Sequence, residues 1–337
     1  LAVLFTIPRD WFGLIFVRLF QGVASAMVWP VAEALVVDSS PPERRGKALS
    51  AYMVTSNTGF AVGPFVGGGM MIAGQSLFGL SLMDSYRLPF YFTALLALVT
   101  LVFIAVRLRD MVSPSGDRKK ARKAASPPLP RDVRRSLNVL YANSLVNGFA
   151  MGMIAPLTAL FMAEHFFPPG DAHAAALISA AIGFAGIVGL IAAVPAGIYS
   201  DRHGRKPPIL FGGYTARACT LFMPLAPSFT AISGLLIGRG LAFNVVMPSM
   251  RALQADLIPV AVRGRLLGFI QTLFNLGAVI GPIIGGALYS IFYGTEFHLG
   301  ALTLVGEGAP FFLSGCLGFI TISMVALFVR ETRARTR

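Results

Sequence analysis

The side chains with most chemical potential in this chain are polar groups lodged inside apolar runs. Arg217, Arg239, Asn143, Asn147 and Asn244 all sit well within such runs, and Arg18 lies early in one. An amide or a guanidinium facing hydrocarbon is costly, so groups placed this way turn inward, pair with one another or line a polar path. Asn143, Asn147 and Met151 are four residues apart and share one helix face. With Trp29, Asn244 and Met247 they make a mixed amide, thioether and aromatic set that suits a loosely specified amphipathic molecule. Met and Trp at such positions also serve as plain packing, so the asparagines carry the stronger signal. Arg18 is open to two readings, a snorkelling cation and a buried functional charge. No carboxylate at comparable depth stands ready to pair with Arg217 or Arg239. Glu164 and His165, near the end of their run, read as interface residues. No nucleophile–base pair, phosphate-binding glycine loop or metal-spaced Cys/His set is present, so no enzyme activity, cofactor or metal is expected. Cys219 and Cys316 both lie in apolar runs and read as packed thiols.

The elements that hold these residues follow from composition. The chain is 55% hydrophobic and 13% charged, against about 25% charged in an average soluble domain, with mean hydropathy +0.71. Spans long enough to cross a bilayer, about 20 residues at 1.5 Å each, are predicted at 11–37, 46–73, 88–107, 137–164, 174–200, 207–226, 229–255, 264–290 and 307–330, after a stub at 1–7. The fold class is therefore all-α integral membrane. The net charge of +13 sits in short loops between spans and forms no basic face, which excludes nucleic acid as a partner and leaves the lipid bilayer. Lys and Arg gather at 44–47, 107–135, 202–206, 263–265 and 330–337, whereas the alternate loops hold only Arg9 and Arg87. The positive-inside rule makes the rich set, and with it the C-terminus, cytoplasmic. Residues 108–135, rich in Lys, Arg, Pro and Ser, read as a cytoplasmic linker between a bundle at 1–107 and a bundle at 136–337.

The two bundles are copies of one plan. Shifted by 218 positions, Gly22–Gly68 lies without a gap on Gly240–Gly286, matching Pro30 with Pro248, Asp38 with Asp256, Arg45 with Arg263, Asn57 with Asn275 and Pro64 with Pro282. Gly59, Gly63, Gly67 and Gly68 recur as Gly277, Gly281, Gly285 and Gly286; glycines four apart open one helix face to close approach. Pro64 and Pro282 are expected to belong to this packing motif, and Pro64 can bend its helix at the groove. Internal repeats of this kind are common in transporters, with the substrate site between them. Leu1 corresponds to Cys219, midway along a span, so the offset predicts a complete first half beginning about 80 residues before Leu1. The visible chain would then lack two to three helices of a twelve-helix whole with both termini inside.

Three motifs carry a family resemblance. Gly197-x-x-x-Asp201-Arg202-x-Gly204-Arg205-Lys206 resembles the loop signature of the major facilitator superfamily. Arg18-x-x-Gln21-Gly22 is similar to its fourth-helix pattern. Gly59-x-x-x-Gly63-Pro64-x-x-Gly67-Gly68 resembles the fifth-helix pattern of its drug:proton antiporter branch. The resemblance covers the whole chain and implies two pseudo-symmetric six-helix bundles in a cytoplasmic (plasma or inner) membrane. It also implies a monomer, with protons and a small-molecule substrate as partners. The implied activity is proton-coupled efflux by alternating access, with proton-linked uptake of a sugar or organic acid as the alternative and a non-transporting sensor as a third reading. By the same resemblance Arg18 would couple protons. Arg205 would bridge Asp201 to Asp256 and, docking near Gly46, latch the halves together. Trp29, Asn143, Asn147, Met151, Asn244 and Met247 would line the cavity. Glu33 and Arg251, repeat mates of opposite charge, are expected to pair across it when the cytoplasmic side closes.

Overall fold

In hydrocarbon the backbone has no hydrogen-bond partner but itself, and long apolar runs answer by coiling into helices. The computed structural model describes residues 2–7, 10–40, 45–107, 130–169, 171, 173–259, 262–299 and 302–331. Nine long helices occur among them: α1 (Trp11–Asp38), α2 (Arg45–Ser76), α3 (Leu82–Arg107), α4 (Arg131–Phe166), α5 (Ala174–His203), α6 (Lys206–Phe222), α7 (Phe229–Leu257), α8 (Arg263–Ile291) and α9 (Ala309–Phe328). By length and composition, the segments Trp11–Trp29, Leu82–Arg107, Arg131–Phe166, Ala174–His203, Phe229–Leu257, Arg263–Ile291 and Gly306–Phe328 are long and apolar enough to cross a membrane. Of the other two helices, α6 has 17 residues and is prolonged by a 3-10 turn, Met223–Leu225, while α2 is rich in Gly, Ser and Thr.

The chain divides into two compact units, 1–124 and 125–337. In the first, α2 packs on α3 and α1 on α2. The stub expected as part of a span is a 3-10 turn, Ala2–Thr6, whose Phe5 stacks on Phe90 of α3 at 5.5 Å. Helix α3 starts six residues earlier than the apolar run suggests. Its polar first turn is capped: Asp84 N–H donates to Ser81 Oγ (3.2 Å), Ser81 Oγ donates to Asp84 Oδ2 (2.7 Å), and Arg87 pairs with Asp84 at 3.1 Å. Helix α4 likewise starts at Arg131, inside the stretch expected to be linker; residues 108–129 lie outside the described residues.

In the second unit α4 runs along α8, α5 along α7, and α9 leans on both α4 and α6. The glycines of α8 make the first contact possible. A Cβ on Gly277 would lie 2.1 Å from Leu145 O, and one on Gly281 would lie 2.3 Å from Phe149 O. On α4, a Cβ on Gly148 would lie 1.9 Å from Phe274 O.

Pro282, expected to belong to the same packing motif, does not share that face. It is exposed, whereas Gly277, Gly281 and Gly285 are buried. The reason is helical geometry: at 3.6 residues per turn, the position after Gly281 is rotated about 100° away from α4. Helix α8 continues through Pro282 to Ile291, so the proline interrupts one backbone hydrogen bond on the outer side and leaves the contact to the glycines. Pro64 likewise lies inside α2 and is half-buried, while Gly59 and Gly63 beside it are exposed.

Large apolar side chains such as Phe211, Ile191, Ile283 and Leu327 point outward and stay exposed, as a lipid-facing surface requires. The inner side chains form three clusters, the smallest of them Leu137, Ile258, Val262 and Ile270. Phe161, Met162, Met223, Ile232 and Phe311 pack near one end of the bundle. Leu140, Ile209, Leu253 and Ile322 pack near the other. A short antiparallel hairpin, β1 (Glu296–Leu299) with β2 (Leu302–Val305), stands where a plain loop was expected.

Candidate functional site

Beside the apolar cluster of Phe161 and Phe311, the second unit holds a partly open cavity of about 240 Å³, with Ala185 and Leu236 of that cluster in its wall. Five helices contribute: Asn147, Ala150 and Met151 from α4; Ile182, Ala185 and Gly186 from α5; Ala216, Arg217 and Thr220 from α6; Leu236, Arg239, Gly240 and Phe243 from α7; Ser314 and Gly318 from α9. Helix α4 gives its middle turns, α5, α7 and α9 turns from their first halves, and α6 turns from its second half. The wall is largely apolar but holds two arginines and no carboxylate.

The two arginines are anchored differently. Arg217 Nη2 donates to Asn147 Oδ1 at 2.6 Å and Nη1 donates to Gly213 O at 3.1 Å. Its stem crosses Gly318 of α9, where a Cβ would lie 2.6 Å from Arg217 Cγ, so this glycine makes room for the side chain. The partner of Arg217 is thus an amide, not the carboxylate that the sequence led us to seek. A neutral partner orients the guanidinium without neutralising it. Arg239 has no hydrogen bond or ion pair among the described residues and lines the same cavity wall as Arg217.

Of the six residues assigned to a substrate wall, Asn147 and Met151 line this cavity. Asn143 does not: at 4% exposure it is buried in helix packing, with Oδ1 lacking a hydrogen-bond partner. One turn separates it from Asn147, but α4 is covered by other helices there. Asn244 Nδ2 donates to Gly240 O of its own helix at 2.9 Å, and Met247 is exposed away from the cavity wall. Trp29 belongs to the first unit, stacked on Phe60 at 6.1 Å and edge-on to Tyr52 at 6.5 Å.

A second polar cluster forms at the end of the bundle where α5 turns into α6. Gly204, at φ +104°, makes the reversal that an L side chain rarely accepts. Arg205 reaches from it to Asp201 and to Asp256 at the end of α7, with Nε donating to Asp256 Oδ2 at 3.2 Å. Glu331, beyond α9, accepts from the N–H groups of Arg205 (2.8 Å) and Lys206 (3.1 Å), placing a carboxylate on the start of α6. Lys206 Nζ donates to Ala326 O at 2.7 Å and Arg330 pairs with Asp132 at 3.1 Å, so the ends of α4, α6, α7 and α9 are tied together. Partial burial opposes the Arg205 charge, but hydrogen bonds and charges from Asp201 and Asp256 outweigh it and hold the guanidinium's pKa above its ordinary value. Stability from a raised group is present below its unfolded pKa and lost only as pH rises through the folded one. Deprotonation of Arg205 is therefore pushed further into the alkaline range and does not release this contact near neutral pH. Arg202 is exposed beside the turn.

In the first unit Arg18 is exposed, donates to Gln21 Oε1 at 2.9 Å and lies 5.0 Å over the Phe5 ring. The side chains of Glu33 and Asp38 lie outside the described residues. Arg251, expected opposite Glu33, is exposed and donates to Gln271 Oε1 of α8 at 3.1 Å. At the hairpin end Glu164 Oε2 accepts from Tyr289 OH at 2.5 Å, and the buried Glu307 accepts from Gly294 N–H at 2.7 Å. Neither Glu307 nor Glu331 was singled out from sequence; each acts on a segment remote in the chain or within a loop, where spacing gives no cue.

Two pseudo-repeated helical units, an interior cavity with a few fixed polar groups, and charged turns at the helix ends describe a membrane transporter rather than an enzyme. The sequence profile of the Major Facilitator Superfamily matches residues 1–192 and 140–337, and the chain belongs to that family. It is 27% identical over 300 residues to Multidrug resistance protein 2 of Bacillus subtilis, covering 87% of this chain and 70% of that protein. It is also 27% identical over 293 residues to the multi-drug resistance efflux pump PmrA of Streptococcus pneumoniae, covering 85% and 69%. Among solved structures, a bacterial homologue of the human lysosomal transporter Spinster, inward-facing and occupied, aligns with TM-score 0.72 at 13% identity over 97% of this chain and 78% of that one. That likeness establishes the fold.

Proposed function

We propose that this chain works as a proton-driven exporter of small amphipathic molecules in a plasma or inner membrane, alternating access between its two halves. The observation that carries this reading is the cavity within the second unit. Ile182, Leu236, Phe243 and Met151 offer apolar and polarizable surface, and a few fixed polar groups give orientation without a tight, directional hydrogen-bond cage. The relatives named as multidrug resistance proteins support export as the direction.

In this reading Arg205, Asp201 and Asp256, with Arg202 and Lys206 beside them, are a breakable polar contact at a helix-end turn, the kind of element a two-state transition needs. Asp38 is the repeat mate of Asp256, and Glu33 and Arg251 pair across the cavity when the cytoplasmic side closes. Arg18 couples proton movement. Trp29, Asn244 and Met247 contribute to the substrate path beyond the cavity wall, and the packed Asn143 does not. The protein acts as a monomer with its C-terminus in the cytoplasm.

The test uses inverted membrane vesicles under an inward-acidic gradient, following labelled amphipathic drugs beside labelled sugars. Drug accumulation that collapses with a protonophore and is lost in Arg18→Ala is the expected result. Proton-linked flux of sugars alone would replace export with uptake.

A further inference from the structure

The second unit places two arginines on the wall of one cavity inside its helix bundle without an acidic partner for either among the described residues. Arg217 has committed both terminal nitrogens, to Asn147 and to Gly213. Arg239 has committed none, and its side chain opens on the cavity. Two cations in one low-dielectric chamber repel each other, and each is costly there unless something negative joins them. A third positive charge raises that cost, whereas one anion relieves it for both arginines. The planar fork of a guanidinium matches the oxygens of a carboxylate in bidentate fashion, and Arg239 has its fork available.

We propose that the Arg217–Arg239 cavity is an anion subsite, taking the carboxylate-type headgroup of an amphipathic molecule. The inference rests on the transporter reading and narrows its substrate class from amphipathic molecules in general to amphipathic anions. Arg239 is the primary contact. Arg217 supplies the second charge, held in place by Asn147, which makes Asn147 a positioning residue. Leu236 and Phe243, from the same helix as Arg239, bear on the apolar body of the molecule. The cavity, at about 240 Å³, is smaller than an ordinary drug site of about 300–1,000 Å³ and fits one compact headgroup and ring.

The test is equilibrium binding to the purified chain in uncharged detergent, using three probes with one ring system: 1-naphthoate, 1-naphthamide and 1-naphthylmethylammonium. The expected result is 1-naphthoate binding at least tenfold tighter than the ammonium. Arg239→Gln should lose at least tenfold for 1-naphthoate and leave 1-naphthamide unchanged, while Arg239→Lys retains part of the affinity. Ammonium binding equal to or tighter than carboxylate binding would overturn the proposal, and so would an Arg239→Gln protein that binds all three as the parent does. The carboxylate-versus-ammonium comparison needs no variant, so it decides the matter even if Arg239→Gln does not fold. Repeating the titration with added phosphatidylglycerol separates a soluble anion from a lipid phosphate. Abolition of 1-naphthoate binding by the lipid would assign the cavity to lipid and overturn the substrate role. Flux in vesicles is scored separately. Carboxylate-selective binding without proton-driven flux of any amphipathic compound would reject the transport reading and keep the anion subsite. Proton-driven flux of the ammonium without carboxylate binding would do the reverse.

Discussion

The glycines of α2 and those of α8 repeat one pattern 218 residues apart, but among the described residues only those of α8 have a helix close against them. On α8, Gly277, Gly281 and Gly285 face α4 so closely that any Cβ would strike Leu145 O, Phe149 O or Met153 Cγ. On α2, a Cβ at Gly59 or Gly63 would meet nothing within 4 Å, and one at Gly67 would only touch Pro89 at 3.9 Å. A glycine stripe permits close approach, and on α8 the neighbouring α4 takes it up. A pattern shared by both halves is weak evidence for a role peculiar to one of them, and this tempers the antiporter signature carried by α2.

The comparison can be broken directly. Gly281→Leu should destabilise the second unit by about 3 kcal/mol or more, because the obstruction is backbone that cannot repack. Gly63→Leu should change stability by no more than about 0.5 kcal/mol. Thermal unfolding of the full chain in detergent reads both, and equal losses would mean that the α2 face is packed as tightly as that of α8. Next in size is Arg205→Ala. Its partners Asp201 and Asp256 are 65% and 39% exposed, so water and salt screen the pairs and the loss should be about 1 kcal/mol. Flux should fall far more than stability does, and Arg205→Lys should recover only part because it lacks the fork. Glu331→Gln removes the charge that sits on the first N–H groups of α6 and should cost about 0.3–1 kcal/mol in the same melt. The smallest expected change is in Arg18→Gln. The residue is exposed and, among the described residues, bonds to Gln21 and lies over Phe5, so stability should hold within about 0.5 kcal/mol while gradient-driven transport declines. A large stability loss at Arg18 would recast it as a structural residue.

Much of the architecture was legible because hydrocarbon imposes it: apolar runs become helices, and the repeat is visible in Gly, Pro and Asp at one fixed offset. What escaped was whatever depends on which helices meet. Arg217 and Arg239 stood out as charges inside spans, but a carboxylate was sought where an amide, Asn147, serves; only packing could bring α4 beside α6. The amides themselves divided for the same reason. Asn147 opens on the cavity and Asn143, four residues earlier, is sealed in packing. Pro282 was grouped with the α8 glycines because it is their neighbour in sequence, yet adjacency on a helix means a different face. Glu331 lies 126 residues from Arg205 in sequence, a separation that spacing rules do not reach. The starts of α3 and α4 were placed late because their first turns are polar, and caps rather than hydrophobicity define such turns.

The central claim is that a proton gradient drives amphipathic molecules through this chain. The most direct measurement loads inverted vesicles with a pH-sensitive dye, establishes an inward-acidic gradient and adds substrate. An exchanger dissipates the gradient as substrate enters, faster with the parent chain than with empty vesicles, and Arg18→Ala abolishes the difference. A gradient that decays at the same rate with and without substrate, from vesicles shown to contain the folded chain, would contradict the account.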